Sequence, residues 1–233
     1  GDNTWIGSNV TIFDGARIGS NCRIFPGAVI SAIPQDLKFK GEQTTAIIGD
    51  HTTIRECVTI NKGTVAMGRT EIGSHCLLMA YVHIAHDCII GDHVILANSV
   101  NLAGHVTIED WAILEGYVGV SQFMHIGAHS FIAGQSGVRK NVPPFVKAAR
   151  EPLSYAGINS VGLARRGYEK EVIEDIQNIY RTIFQKGYNT SKALSMVEEE
   201  CPTSAHRDLI LQFVRSSEKG IIRGLSGSMM KTE

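Results

Sequence analysis

The chain has 233 residues, of which 43% are hydrophobic and 19% charged, and its formal net charge is −1. These values fit one folded domain, with or without an appendage, and exclude a disordered or collagen-like chain. They also argue against a nucleic-acid binder, and no apolar run reaches the ~18 residues of a membrane span. The five cysteines form no C-x-x-C pair, which argues against a disulfide framework or a structural zinc site and favours a reducing, cytoplasmic location.

An aliphatic residue recurs at every sixth position from residue 6 to residue 138. Of the 23 multiples of six in this range, 20 are Ile, Leu or Val. The three exceptions are Asp36, Glu42 and Ala66. Glycine often follows the aliphatic residue, as at Gly73, and we attribute this to a turn that needs a permissive backbone. A six-residue unit is too short to bury its own apolar face, so the units must stack.

The repeat predicts a mainly β fold, a parallel β-helix over residues 1–147. It is similar to the repeat of hexapeptide-repeat proteins, and this resemblance implies that three hexads close a triangular, left-handed coil. Because Gly1 already lies inside a hexad, we expect further coils upstream of it. Two polar segments interrupt the repeat, residues 31–47 and 61–71, and we interpret both as loops extruded from the coil.

After Val138 the period changes. The pair Pro143-Pro144 interrupts the chain, and residues 148–167 are predicted to form a linker. From about Tyr168 the apolar residues follow a helical period, which predicts a helical domain over residues 168–225. Its helices are expected at about 168–187, 190–200 and 204–219, and residues 226–233 are expected to form a frayed tail.

The outward-facing residues predict a catalytic patch. With 18 residues per coil, His86, Gly104 and Gln122 form one column with rungs ~4.8 Å apart. Asp87 and His105 form the next column, and His83 lies nearby. A neutral histidine can take a proton from a substrate hydroxyl, and a carboxylate can hold its tautomer. A glycine lets an oxyanion approach the backbone N–H, so the patch suits acyl transfer.

A zinc site built from His83, His86 and His105 is the rival interpretation, because zinc needs three converging ligands. The three-residue spacing places His83 and His86 on different parts of the coil. We therefore expect neither a metal nor a cofactor.

The segments HIAHDC (83–88), LAGHV (102–106) and LARRG (163–167) carry a specific resemblance. With the helical tail, they are similar to bacterial acyl-carrier-protein–UDP-N-acetylglucosamine O-acyltransferases, which catalyse the first step of lipid A synthesis. The resemblance implies a cytoplasmic homotrimer with active sites between neighbouring β-helices. Its substrates are an acyl carrier protein charged with a 3-hydroxyacyl chain and UDP-N-acetylglucosamine. It implies His86 as the general base, Asp87 as its support and the Gly104 N–H as oxyanion donor.

Further roles follow from the resemblance alone. The positions expected to contact the nucleotide sugar or the acyl group are Asp36, Lys38, His83, His105 and Gln122. Asn159 and Arg165 are expected at the uridine and phosphates, with Arg166 close by. Without the resemblance, the arginine pair would equally suit a solvated helix start. Gly134 and Pro152 stand at acyl-length positions, and the space at Gly134 favours a long chain.

Two alternatives remain open at this point. One is N-acylation of a related UDP-amino sugar, and the other is a hexapeptide scaffold without enzymatic activity. The carrier protein of this pathway is acidic, so basic residues near the cleft are candidates to receive it. These are Arg139, Lys140, Lys147, Arg150 and Arg165.

Overall fold

The computed structural model describes residues 1–224, which form 22 strands and four helices. The strands are β1 Trp5–Ile6, β2 Thr11–Ile12, β3 Ala16–Ile18, β4 Arg23–Ile24, β5 Val29–Ala32, β6 Thr45–Ile48, β7 Thr53–Ile54, β8 Thr59–Asn61, β9 Arg69–Ile72, β10 Leu77–Leu78, β11 His83–Ile84, β12 Ile89–Ile90, β13 Ile95–Leu96, β14 Asn101–Leu102, β15 Thr107–Ile108, β16 Ile113–Leu114, β17 Gly119–Val120, β18 His125–Ile126, β19 Phe131–Ile132, β20 Gly137–Val138, β21 Val146–Ala149 and β22 Ser154–Ile158.

From β1 to β20, every third strand belongs to the same sheet, so the chain winds as a parallel β-helix. Sheet A contains nine strands (β1, β4, β7, β10, β13, β16, β19, β21 and β22), sheet B seven (β2, β5, β8, β11, β14, β17 and β20) and sheet C six (β3, β6, β9, β12, β15 and β18). Paired residues such as Leu77 and Ile95 are 18 positions apart. The predicted 18-residue coil is therefore confirmed.

The two interruptions are narrower than predicted, because strands extend into both segments. The loops comprise residues 33–44 and 62–68. Val29 pairs with Thr59, which is 30 positions away, and Thr59 pairs with His83, which is 24 away. Relative to an 18-residue coil, the insertions are thus 12 and 6 residues long. They are whole hexads, which explains why the six-residue count resumes in register beyond each loop.

The aliphatic hexad residues and the small residues before them fill the interior. From Ile24 onward, the aliphatic residues at multiples of six are almost wholly buried. Cys22, Cys76 and Cys88 are at most 2% exposed, so they pack as small core residues. Adjacent rungs share this continuous core, which explains why short strands of two residues suffice.

The expected role of the recurrent glycine is wrong for Gly73, which does not have a positive φ. A Cβ there would lie 2.6 Å from the carbonyl carbon of Gly91 on the next rung, so the glycine is required by close stacking of the coils. The left-handed backbone falls two residues later, at His75, whose φ is 57°.

The chain after the last coil is more ordered than the predicted linker over residues 148–167. Strand β21 continues sheet A beside β19 and pairs antiparallel with β22. Four helices follow: α1 Ser160–Arg165, α2 Lys170–Phe184, α3 Thr190–Glu200 and α4 Ala205–Ser216. The sequence did not predict that sheet A continues beyond Pro143-Pro144. Strand β21 forms there because it pairs with β19, and its local sequence has no strand pattern that indicates this pairing.

The last three helices lie within the stretches in which the sequence predicts helices. Tyr180 in α2 is fully buried, and its hydroxyl donates to the carbonyl of Pro144, which fixes the helical part against the end of the β-helix. Within residues 1–224, no helix has the length and hydropathy needed to cross a membrane. The predicted frayed tail, 226–233, and residue 225 lie outside the described residues.

Candidate active site

The outward side of sheet B carries a cleft of about 540 Å³, which we call the His86 cleft. The cleft lies along four paired strands, and the outward side chains on them become smaller from one strand to the next. They are His83, Asn101, Gly119 and Gly137. Its lining comprises Gln35, His83, Ala85, His86, Asn101, Leu102, Ala103, Gly104, Gly119, Val120, Ser121, Gln122, Gly137 and Arg139. The structure therefore brings the predicted file of His86, Gly104 and Gln122 into one concave surface.

His86 and Asp87 form a buried hydrogen-bonded pair at the edge of this cleft. The Nδ1 atom of His86 lies 2.8 Å from Oδ2 of Asp87, and the two residues are 6% and 2% exposed. Burial by itself raises the pKa of Asp87, but hydrogen bonds from Thr64 and His86 outweigh it and hold the pKa below its usual value. An ionised carboxylate only accepts hydrogen bonds, so Nδ1 carries the proton and Nε2 of His86 has a free lone pair.

Gly104 lies directly beneath the imidazole of His86. A Cβ at position 104 would stand 2.6 Å from Cε1 and 2.7 Å from Nε2 of that ring. The glycine has no positive φ, so the position requires the missing side chain and not an unusual backbone. Within residues 1–224 the N–H of Gly104 donates to no protein acceptor. It is therefore available to an oxyanion held close to the imidazole.

The two neighbouring histidines differ in their surroundings. His83 lines the cleft, its Nδ1 lies 2.7 Å from the hydroxyl of Thr59, and burial lowers its pKa. His105 lies outside the cleft lining, with Nε2 3.6 Å from Oδ2 of Asp87 and its ring stacked on Phe123 at 4.6 Å.

The possible metal ligands are therefore not the predicted set. His86, Asp87 and His105 each offer a ligand atom, and these atoms lie within 4.8 Å of one another. His83 is not part of this group, and its Nδ1 is hydrogen-bonded to Thr59. The Asp87 oxygens already accept from Thr64 and His86, so hydrogen bonding accounts for this grouping.

The predicted sugar-binding loop enters the cleft through a different residue. Gln35 lines the cleft, whereas Asp36 and Lys38 lie outside it. The Asp36 carboxylate accepts a hydrogen bond from the N–H of Lys38 and so closes its own turn, and Lys38 is exposed. The sequence could not distinguish these three neighbours, because the loop has no repeating geometry.

Asn159 and Arg165 line a second cleft of about 470 Å³, the Arg165 cleft, on sheet A and the start of α1. Asn159 caps α1: its Oδ1 accepts from the Gly162 N–H and its Nδ2 donates to the His129 carbonyl. No residue in 1–224 lines both clefts. The predicted catalytic and uridine positions therefore belong to different faces of one β-helix.

Arg166 lies away from the Arg165 cleft and is used within the fold. Its guanidinium lies 5.1 Å from the centre of the Trp111 ring and donates to the Trp111 carbonyl at 3.1 Å. Burial and the nearby Arg166 charge lower the pKa of His129 to about 4. The hydroxyl of Tyr168 lies 3.1 Å from the Nε2 of that ring. The expectation that Arg166 lies close to the phosphates thus finds no support in its contacts.

The two acyl-length positions lie outside both clefts of the single chain. Gly134 is exposed, and its N–H donates to Glu115 at 3.0 Å. Pro152 is also exposed.

Comparison with known proteins identifies the family of the chain. Residues 69–104 match the bacterial transferase hexapeptide model, and residues 141–222 match the second-domain model of UDP-N-acetylglucosamine O-acyltransferase. An acyl-[acyl-carrier-protein]–UDP-N-acetylglucosamine O-acyltransferase of Janthinobacterium sp. is 45% identical over 199 residues, covering 83% of this chain and 76% of the relative. The chain belongs to this O-acyltransferase family.

Solved structures of the O-acyltransferase family support the same assignment. The UDP-N-acetylglucosamine acyltransferase from Bacteroides fragilis superposes with a TM-score of 0.94 at 51% identity, covering 96% of this chain and 88% of that one. The Francisella novicida enzyme gives 0.90 at 40% identity, with 98% and 86% covered. These neighbours confirm the left-handed β-helix with a C-terminal helical part.

Sequence reasoning did not single out several residues at the site of this O-acyltransferase-family chain. Among them are Gln35, which lines the His86 cleft, and Thr64 and Thr70, which contact Asp87. Arg139 was expected near the cleft as a candidate to receive the carrier protein; it lines the cleft, where it follows Ser121 by 18 positions. Thr64 and Thr70 lie in the predicted loop 61–71, for which the repeat gives no geometry.

Proposed function

We propose that this chain transfers a 3-hydroxyacyl group from acyl carrier protein to the 3-hydroxyl of UDP-N-acetylglucosamine, the first step of lipid A synthesis. Relatives of this name and the fold of the acyltransferase structures support the assignment. The observation that carries it is the imidazole of His86, held by Asp87 and stacked over the Gly104 backbone in an open cleft.

The geometry supports direct transfer in two steps. Nε2 of His86 takes the proton of the sugar 3-hydroxyl as the oxygen attacks the thioester carbonyl. The Gly104 N–H donates to the oxyanion of the tetrahedral intermediate, and Asp87 stabilises the imidazolium. The intermediate collapses by breaking the carbon–sulfur bond, and the departing thiolate of the carrier takes the proton from His86. The new ester and the free carrier thiol are the products.

A covalent cysteine intermediate is disfavoured by the placement of the nearest thiol. Cys88 follows Asp87 but is fully buried, and burial raises the pKa of its thiol to about 12. The thiolate is the nucleophilic form, so Cys88 is not a nucleophile.

The remaining site residues are assigned as substrate contacts. We place His83 and Gln122 at the nucleotide sugar within the His86 cleft, and Asn159 and Arg165 at the uridine and phosphates. An arginine forms charge-assisted hydrogen bonds with a diphosphate. We also propose that bound substrate extends beyond the cleft lining and contacts Asp36, Lys38 and His105. The length of the acyl chain is proposed to be limited at Gly134 and Pro152.

Because the two clefts lie on different sheets, one substrate that reaches both needs a second copy of the chain. We therefore propose a homotrimer with each active site between the sheet B face of one protomer and the sheet A face of its partner. At nucleotide-sugar concentrations well below the KM, mixed trimers of His86→Ala and Arg165→Ala chains should then be more active than either variant alone, because some interfaces combine two unaltered faces. A mixture no more active than the average of the two variants would contradict the shared site.

The acidic carrier protein is proposed to dock through Arg139, Lys140, Lys147, Arg150 and Arg165, in the cytoplasm. High salt should then raise the KM for the carrier, which uses several basic residues, more than the KM for the nucleotide sugar. An unchanged carrier KM would contradict electrostatic docking.

The decisive experiment measures acyl transfer from 3-hydroxyacyl carrier proteins to UDP-N-acetylglucosamine and to its 3-amino analogue, with products identified by mass. We expect the 3-hydroxyl acceptor and longer donors to be preferred, and His86→Ala to lower kcat by about 10²–10⁴-fold. His75→Ala, an exposed corner histidine, is the matched control. Transfer to the amino sugar alone would overturn the O-acyl assignment. Absence of nucleotide-sugar binding by calorimetry would instead indicate a scaffold.

A further inference from the structure

The carboxylate of Asp87 is held by the loop that interrupts the repeat. The N–H of Thr64 donates to Oδ1 of Asp87 at 2.8 Å, and the Thr64 hydroxyl donates to Oδ2 at 2.6 Å. In strand β9, which follows this loop, the hydroxyl of Thr70 accepts from the N–H of Asp87 at 2.9 Å. Thr64 and Thr70 are 6% and 0% exposed. A residue of the loop and a residue of the strand after it therefore both contact Asp87.

The direction of the Thr64 hydroxyl is fixed by its second partner. Its oxygen accepts from the N–H of Ala66 at 3.2 Å, so its single proton is free to point at Asp87. An ionised carboxylate accepts and never donates, which requires the same direction. Oδ2 thus receives the Thr64 hydroxyl and the Nδ1 proton of His86 together.

The neck of the loop prevents Thr64 from turning away. The Gly68 N–H donates to the Thr64 carbonyl at 2.7 Å, and the Thr44 hydroxyl donates to the Gly63 carbonyl at 2.6 Å. A Cβ at Gly63 would lie 2.6 Å from the Cα of Arg69, so the two sides of the neck touch backbone to backbone. Thr64 is consequently presented to Asp87 by a closed and buried support.

We infer that Thr64 is a positioning residue for acyl transfer, whose hydroxyl and N–H orient the Asp87 carboxylate so that His86 keeps its proton on Nδ1 and its lone pair on Nε2. The inference rests on the proposed function for its kinetic consequence, and on the hydrogen bonds alone for its effect on the imidazole. Thr64 would thus contribute to the proposed reaction through Asp87, without contacting a substrate itself.

A pair of substitutions separates the hydroxyl from packing. Thr64→Val keeps the shape and loses the donor, whereas Thr64→Ser keeps the donor and loses a methyl group. A hydrogen bond to a charged group is strong, so Thr64→Val should lower kcat by about 10–100-fold. Its KM for the nucleotide sugar should stay within about twofold, because ground-state binding is unaltered. Thr64→Ser should recover most of the lost kcat.

The pH profile gives a readout that a purely structural role would not move. Without the Thr64 hydroxyl, the negative charge of Asp87 is less compensated and favours the imidazolium of His86 more strongly. Among residues 1–224, the other titratable group that faces this pair is His105, whose Nε2 lies 3.6 Å from Oδ2 of Asp87 and is unaltered in both variants. The acid limb of kcat/KM should therefore shift to higher pH in Thr64→Val and return in Thr64→Ser. The matched control is Thr52→Val, which removes a buried hydroxyl bonded to the Gly73 carbonyl at 2.8 Å and should leave kcat and the limb unchanged.

Imidazole ¹⁵N NMR of the full chain tests the inference without turnover. In the unaltered protein, His86 should show a protonated Nδ1 and an unprotonated Nε2, and Thr64→Val should shift its titration to higher pH. Wild-type kcat and titration in a folded Thr64→Val chain would overturn the inference, as would equal losses in the valine and serine variants. An unaltered chain that transfers no acyl group would instead overturn the proposed function.

Discussion

Replacing Gly104 with alanine tests whether the imidazole of His86 lies where the structure has it. The added Cβ would stand 2.6 Å from Cε1 of His86. Non-bonded carbon atoms settle about 3.5–4.0 Å apart, so the ring must move by about 1 Å. A displacement of this size at a reacting group costs about 10²-fold in rate, or about 2.7 kcal/mol of transition-state stabilisation.

The backbone should tolerate the substitution. Because φ at Gly104 is not positive, alanine fits the local conformation and restricts the unfolded chain, which offsets part of the strain from the displaced ring. We expect the melting temperature of Gly104→Ala to stay close to that of the unaltered chain while kcat falls about 100-fold.

Steady-state acyl transfer with both substrates saturating measures this loss, and thermal unfolding checks the fold. Gly116→Ala is the matched control, because a Cβ there meets the nearest backbone oxygen at 3.4 Å, an ordinary contact. Its kcat should match that of the unaltered chain. A folded Gly104→Ala protein with normal kcat would refute the stacked position of the His86 imidazole.

Three further outcomes follow from the site. Arg165→Ala should raise the KM for the nucleotide sugar about tenfold without changing the melting temperature. Arg166→Ala should instead lower the melting temperature, because it loses the contacts with Trp111. The reverse pattern would contradict the two assignments. The pKa of His129 is lowered from 6.5 to about 4, so the unfolded chain binds more protons between these values and stability should fall as pH drops through this window. His129→Phe should flatten that dependence in unfolding titrations, and an unchanged slope would show that His129 is not its source. Dialysis against a chelator should leave kcat unchanged, and a loss that zinc restores would show that His86, Asp87 and His105 hold an ion.

The fold could be predicted from the sequence because its rule is local and repeated. Each aliphatic residue at a multiple of six confirms the others, and the three exceptions, Asp36, Glu42 and Ala66, fall inside the inserted hexads. Sheet A beyond the proline pair escaped prediction because β21 and β22 depend on a partner strand and on each other. The local sequence of these two strands does not indicate which strands they pair with.

The site was predictable to the extent that it lies on the repeat. A spacing of 18 residues places His86, Gly104 and Gln122 in one file, and the cleft contains all three. Contacts made by irregular segments were not accessible in this way. Arg166 follows Arg165 directly in sequence, yet a single step along α1 directs one side chain to the cleft and the other to Trp111.

An irregular loop can serve a regular scaffold because it is extruded between two strands. It leaves the pairing of the later coils unchanged, as the 18-residue spacing beyond His83 shows. The chain therefore gains a loop residue, Thr64, that contacts Asp87 together with Thr70 of the following strand, at no cost to the core. Direct acyl transfer has no covalent intermediate to hold the substrates in place, so its general base must be oriented before they bind. A closed loop on a rigid coil meets that requirement, which gives a reason for the contact between the break in the repeat and the proposed catalytic pair, His86 and Asp87.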